Sequence, residues 1–197
     1  MNLVKDPKRV SELGKRKEEL NWEFRSFLKG IHLKSEELDR IVHSLHEEVS
    51  AQIDCTACGQ CCRAIRPLLM AKDLKRLANH LGLTETIFTT KYLMEPDDQT
   101  YVFRDLPCPF LQDNRCIVYD ARPDDCRSYP HLHQNDFACR LANVCDNCSL
   151  CPIVYNVFEF LKEHLKSRRV KSWCPFPEWN RALRAPSGHR LSRVAFG

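Results

Sequence analysis

The residues here that could do chemistry are thiols. Cysteine fills 12 of the 197 positions, and the twelve are clustered rather than spread. The tightest run is Cys55-Thr-Ala-Cys58-Gly-Gln-Cys61-Cys62. A C-x2-C turn brings two sulfurs onto one ion, because the backbone between them folds tightly enough to point both inward. Gly59 supports such a turn, since glycine tolerates positive φ. Adjacent side chains diverge, so Cys61 and Cys62 are expected to face different directions, toward different metals in one arrangement. A later set, Cys139, Cys145, Cys148 and Cys151-Pro152, has the C-x2-C-x2-C spacing that opens bacterial ferredoxin runs, without their final step. It predicts a second metal or iron–sulfur site, with Cys139 or Cys174 as fourth ligand. The alternative is that these thiols complete the first cluster or are simply buried.

Three further cysteines stand in patterned contexts: Cys108-Pro-Phe-Leu, Cys116-Ile-Val-Tyr, and Arg122-Pro-Asp-Asp-Cys126-Arg-Ser-Tyr-Pro130. Together with Cys55, Cys58, Gly59, Cys61 and Cys62, these segments resemble the bacterial CxxCxxCC cysteine-cluster family, known as a zinc- or iron-chelating domain. The one departure is an extra residue between Cys116 and Tyr119. The resemblance covers residues 55–130 and implies metal chelation without an assigned activity. Some relatives of the cluster are flagellin lysine methylases that use S-adenosylmethionine, which brings an enzyme into consideration. The region resembling the family offers seven thiolates: Cys55, Cys58, Cys61, Cys62, Cys108, Cys116 and Cys126. Two tetrahedral sites need eight ligand positions, so either one sulfur bridges, or four close one site and three leave an open position for substrate or water.

Arginine neighbours four of the cysteines, at Arg63, Arg115, Arg127 and Arg140. Guanidinium groups there would offset the negative charge of a thiolate site and donate hydrogen bonds to sulfur. His131 and His133 follow Pro130 and could make a mixed Cys/His site. His43 and His46 are expected to face solvent, and Tyr129 to serve packing.

The N-terminal residues run straight into charge with no apolar export segment, so the chain reads as cytoplasmic, with reduced thiols that suit metal better than disulfides. No stretch approaches 18 uninterrupted apolar residues, so no membrane span is expected. The net charge is +4, and residues 152–197, with nine Lys/Arg against three Asp/Glu, hold all of the excess. Such a basic segment could touch nucleic acid, but no aromatic–basic stripe accompanies it. Six glycines leave no G-x-G-x-x-G or Walker loop, and no nucleophile–base pair can be assigned.

The elements that must position the thiols read as mainly helical. Val10, Leu13, Leu20, Phe24, Phe27 and Ile31 recur at helical steps interrupted at Lys17, with Gly30 as a stop. Ser35 would cap a second helix whose buried face is Leu38, Ile41, Val42, Leu45 and Val49. Further helices are expected over residues 73–81, stopped by Gly82, and from Thr84. Residues 101–104 read as a strand, and Asp113-Asn114 as the turn of a β-hairpin. A closing helix begins at Pro152 with Val154, Val157, Phe158, Leu161 and Leu165 inside. The expectation is an α+β, mainly helical fold: an N-terminal helical hairpin (1–50), a metal-held cysteine domain (51–170) and a basic tail (171–197). The expected function is to hold zinc or iron through clustered thiolates. The alternatives are an iron–sulfur redox or S-adenosylmethionine enzyme, and a structural-zinc module that binds nucleic acid or protein.

Overall fold

The computed structural model describes residues 2–97 and 100–167. Cys174 and the basic 171–197 segment therefore lie outside the described residues. The chain starts with α1 (Pro7–Arg16), where Pro7 occupies the first helical position and the Asp6 carboxylate accepts from the Lys8 and Arg9 amides. Lys17 breaks the helix where a single continuous helix was expected, and α2 (Glu18–Gly30) follows. The N-terminal segment is thus three helices rather than two. Gly30 ends α2, and α3 (Ser35–Ser50) begins one residue before the expected start, with Lys34 at the cap and no side-chain bond there.

Short elements carry most of the cysteines. A 3-10 turn (Cys55–Ala57) leads through Gly59, at φ 63°, into α4 (Gln60–Ala64). Strand β1 (Leu68–Leu69) is followed by α5 (Ala71–His80) and α6 (Glu85–Tyr92), the latter capped by Thr84 Oγ1 accepting from Ile87 N at 3.3 Å. Strands β2 (Leu93–Asp97) and β3 (Thr100–Phe103) complete an antiparallel sheet in the order β1-β3-β2, with Leu68 and Met94 both opposite Val102. The expected hairpin is present but short: β4 (Leu111–Gln112) and β5 (Arg115–Cys116) are joined by Asp113 and Asn114, both at positive φ. Helices α7 (Asp124–Ser128), α8 (Leu141–Asn147) and α9 (Pro152–Ser167) follow.

The described residues bury two apolar clusters. In one, Phe24, Leu28, Val42 and Val49 from α2 and α3 pack with Phe137, Leu141 and Val144 and with the inner face of α9, including Val157, Phe158 and Leu161. In the other, Leu74, Leu77 and Phe88 from α5 and α6 pack under the sheet against Phe103, Phe110 and Val118. A charged network stitches the first cluster at the point where α1 breaks. Glu159 accepts from Lys17 at 2.5 Å and from Lys162 at 2.6 Å, and Lys162 also donates to Asn21 Oδ1 at 2.5 Å. Burial alone would push the Glu159 carboxyl up, but the two ammonium groups outweigh it and hold it below its usual range. Among the described residues no helix is long and apolar enough to cross a membrane.

Candidate metal centre

Between the two clusters lies a cavity of about 480 Å3. Eight thiols line it: Cys55, Cys58, Cys61, Cys62, Cys108, Cys116, Cys126 and Cys151. They come from six different local structures. The 3-10 turn presents Cys55 and Cys58, the left-handed Gly59 turns the chain into α4, and α4 presents Cys61 and Cys62. A Cβ on Gly59 would lie 2.8 Å from Arg63 Nη1 and 3.2 Å from Leu111 Cδ1, so glycine is needed for space as well as for φ. Cys108 enters by donating its amide to the Cys62 carbonyl at 2.7 Å, and the β4–β5 hairpin brings Cys116 opposite Leu111. Cys126 sits on α7, and Cys151 immediately precedes α9.

None of the described cysteines is in a disulfide. Among the described residues, no three Cys, His, Asp or Glu side chains stand close enough together to hold one ion as they are. The sulfurs line walls rather than meet at a point. Burial governs their ionisation: it pushes Cys108 and Cys151 up to about 11 and Cys126 further, with neighbouring thiols adding to the rise at each. The Cys61–Cys62 pair is hydrogen-bonded, and this bond favours the Cys62 thiolate, with Arg63 assisting, while Cys61 is held protonated. Burial thus favours the neutral thiol over most of the wall, and a bound zinc or iron would have to displace those protons, since thiolate is the form that binds. The donor set fits a thiophilic metal.

Residues 54–146 match the family model CxxCxxCC, whose description is a putative zinc- or iron-chelating domain. The match makes this segment similar to that family. The match spans slightly under half of the chain, and no curated protein and no solved structure matches. Seven of the cavity thiols lie within the matched segment, and the eighth, Cys151, lies beyond its end.

The other sequence candidates are placed elsewhere. Cys139 is exposed. Cys145 is buried in the helical core and donates to the Asn21 carbonyl at 3.4 Å, and Cys148 is buried in the same core. The C-x2-C-x2-C spacing thus lies across a helix end, with Cys145 on α8, Cys148 just after it, and only Cys151 at the cavity. His131 and His133 are not on the cavity wall. His131 Nε2 lies 3.3 Å from Asp125 Oδ1, and burial lowers its pKa despite that carboxylate. His43 and His46 are half-buried rather than fully solvated, because the 131–134 loop covers that face of α3: His43 Nε2 lies 3.2 Å from the Gln134 carbonyl, and His46 stacks on His133 at 6.0 Å.

Sequence reasoning looked to the arginines beside cysteines, and three of those four are spent on oxygen. Arg63 donates to the Gly59 carbonyl and Asn114, Arg127 to the Asp120 and Arg122 carbonyls, and Arg140 to the carbonyls of His131, Asn135 and Gln134. Arg115, Arg122 and Arg127 all line the cavity, and Arg122 is the one with buried donors left over. Its guanidinium lies 3.6 Å from the Tyr119 ring centroid, and its Nε and Nη1 are buried with no acceptor. The segment that carries it is fixed from α5: Arg76 donates to the Ala121 and Arg122 carbonyls and to Asp73 and Asp124, and the fully buried Asp73 accepts from the Asp124 amide at 3.1 Å. Tyr129 has more than a packing role. It lines the cavity and donates to Asn147 Oδ1 at 3.0 Å. No motif signalled Arg76 or Asp73. For Arg122 the only signal was its place in the R-P-x-x-C segment.

Proposed function

We propose that this chain is a metal-binding protein whose cavity thiolates hold zinc or iron. One observation carries the reading: eight of the eleven described cysteines, drawn from six separate local structures, surround a single cavity. Buried apolar packing does not require thiols on every side of one space. A set of thiols with no disulfide among them suits a metal, and the compartment it suits is the reducing cytoplasm.

Size favours iron–sulfur chemistry as a second reading. A tetrahedral zinc with Zn–S bonds of about 2.3 Å encloses roughly 50 Å3. The cavity of about 480 Å3 is close to ten times that, and its sulfurs do not converge. A single ion would have to draw the walls inward, whereas a cluster occupies more of the space.

Mass-spectrometric metal analysis with a visible spectrum, on protein purified under reducing, oxygen-free conditions, tests both readings. Zinc in a colourless sample supports thiolate zinc. Iron with sulfide and broad absorption that bleaches on reduction supports a cluster. Reduced, fully folded protein that takes up neither metal overturns the proposal.

A further inference from the structure

Outside the cavity, titratable side chains gather where the 131–134 loop covers α3. His46 of α3 stacks its ring against His133 of the loop, with centroids 6.0 Å apart. His43, one turn earlier on α3, puts Nε2 3.2 Å from the Gln134 carbonyl. His131 reaches back to α7, with Nε2 3.3 Å from Asp125 Oδ1 and Nδ1 3.0 Å from Ser128 Oγ. Its backbone is left-handed, at φ 61°, a conformation that a non-glycine residue keeps when its surroundings hold it there. Among the described residues no three such side chains stand close enough to hold an ion, so these imidazoles do not form a metal site.

The loop is pinned at both ends by contacts that need no imidazole. Asp39 of α3 accepts from the Asp136 and Phe137 amides at 2.8 and 2.9 Å, and Phe137 is buried in the helical core. At the other end the His131 amide donates to the Ser128 carbonyl at 2.7 Å. Arg140, on the 3-10 turn Phe137–Arg140, donates to the carbonyls of His131, Gln134 and Asn135 and sets a permanent cation beside the loop. Between those pins the loop meets α3 through His133 on His46 and through the Gln134 carbonyl at His43.

The charged groups that face His46 are His133 from the loop, and His43 and Glu47 from α3 itself. Burial and the two imidazoles outweigh Glu47 and hold the His46 pKa below its usual range. Around the loop, Asp125 of α7 and Arg140 face His131. A proton on His46 therefore sits in a half-buried place beside two other imidazoles, whereas the same ring in water meets neither cost. We infer that the 131–134 loop is an acid-sensitive latch, docked on α3 while His46 is neutral and released between its two pins when His46 takes up a proton. The released state binds the proton more readily than the docked one. Docking is thus at full strength above about pH 6.5 and weakens as pH falls through it. The loop follows Tyr129, a residue of the cavity wall whose ring lies 5.9 Å from that of His131, so acidification loosens the chain next to that wall. This holds whatever the cavity binds.

The test is amide hydrogen exchange by NMR on the full chain and on His46→Phe, which keeps a ring at the stack and cannot be protonated. Rates are corrected for the intrinsic pH dependence of exchange. From about pH 7.5 to about pH 5.5, opening at the His131 and Gln134 amides should rise at least about threefold in the wild type and stay level in His46→Phe. The Asp136 and Phe137 amides should stay steady in both. Thiol ionisation and any bound metal are common to the two chains and cancel in the comparison. No change in the wild type, or an equal change in both chains, overturns the latch. If the variant does not fold, or its loop is unprotected at both pH values, the NMR titration of His46 in the wild type decides. A midpoint below about 6.5, with loop resonances moving at that midpoint, supports the latch. A midpoint at or above that value, or loop resonances indifferent to it, refutes it.

Discussion

Gly14 sits inside α1, far in sequence from any cavity thiol, and replacing it with alanine opposes two effects of known sign. Helix propensity favours alanine by roughly 0.5–1 kcal/mol. Packing opposes it, because a Cβ at Gly14 would stand 2.5 Å from the Cys148 carbonyl oxygen and 2.5 Å from Ser149 Cα, both of them backbone. Overpacking against a fixed neighbour costs about 1–3 kcal/mol, and backbone cannot swing aside as a side chain can. The net expectation is a loss of about 1–2 kcal/mol, read as a Tm lower by roughly 2–8 °C for a chain of this size. The segment pushed aside leads directly to Cys151, so metal retention against a chelator falls as well. Gly30→Ala is the matched control: no heavy atom lies within 4 Å of its added Cβ, and it closes α2 at an exposed position. It should be neutral or slightly stabilising. Thermal melts of both variants, metal-loaded and metal-free, decide the matter. A Gly14→Ala protein as stable as Gly30→Ala would refute the argument from close packing of α1 on the 148–149 backbone.

The other predictions concern charge. Arg122→Leu should weaken metal binding about 10- to 100-fold in chelator competition, whereas Arg140→Gln, whose donors all go to carbonyls away from the cavity, should leave it unchanged; equal losses would argue against a role for Arg122 at sulfur. Glu159→Gln leaves Lys162, only 4% exposed, without its carboxylate and should cost about 3–5 kcal/mol in denaturant unfolding. Lys162→Met keeps the Lys17–Glu159 pair, sets an apolar chain between Phe24 and Phe158, and should stay within about 1 kcal/mol of wild type; comparable losses in the two variants would contradict this asymmetry. Burial lifts Cys145 to about 11 from an ordinary value near 9, so its protonated form is favoured by folding. That contribution is fully present below about pH 9 and is lost as pH rises through 11, on the order of 2 kcal/mol. Cys145→Ala should lose less stability than wild type between pH 8 and 10.5 in urea melts, and parallel losses would disprove it.

Local rules carried much of the fold. The stop at Gly30, the Thr84 cap, the start at Pro152 and the buried face of α9 all follow from neighbours in the chain, as period and capping chemistry do, whereas the break at Lys17 was not foreseen. The Asp113-Asn114 hairpin was visible for the same reason, since its turn depends on two residues that tolerate positive φ. The start of α3 moved by one residue because Ser35 entered the helix and Lys34 took the cap. The half-burial of His43 and His46 depends on a loop more than 80 residues away, which no helical period reveals.

The sequence by itself determined the donor chemistry: thiols, in C-x2-C and C-C spacings that gather several sulfurs on one short stretch of backbone, in a segment that matches the model of a chelating family. It could not determine which distant thiols share a space. The ferredoxin-like spacing treats Cys145, Cys148 and Cys151 alike, yet α8 and α9 pack so that the first two are buried in the helical core and the third reaches the cavity. Likewise Arg63, Arg127 and Arg140, each adjacent to a cysteine, point their donors at nearby oxygens, while Arg122, held by Arg76 from α5, keeps buried donors free at the wall. Adjacency along the chain fixes the direction of a bond for a few residues only. Beyond that, the packing of helices brought together by burial of apolar faces decides which sulfur meets which.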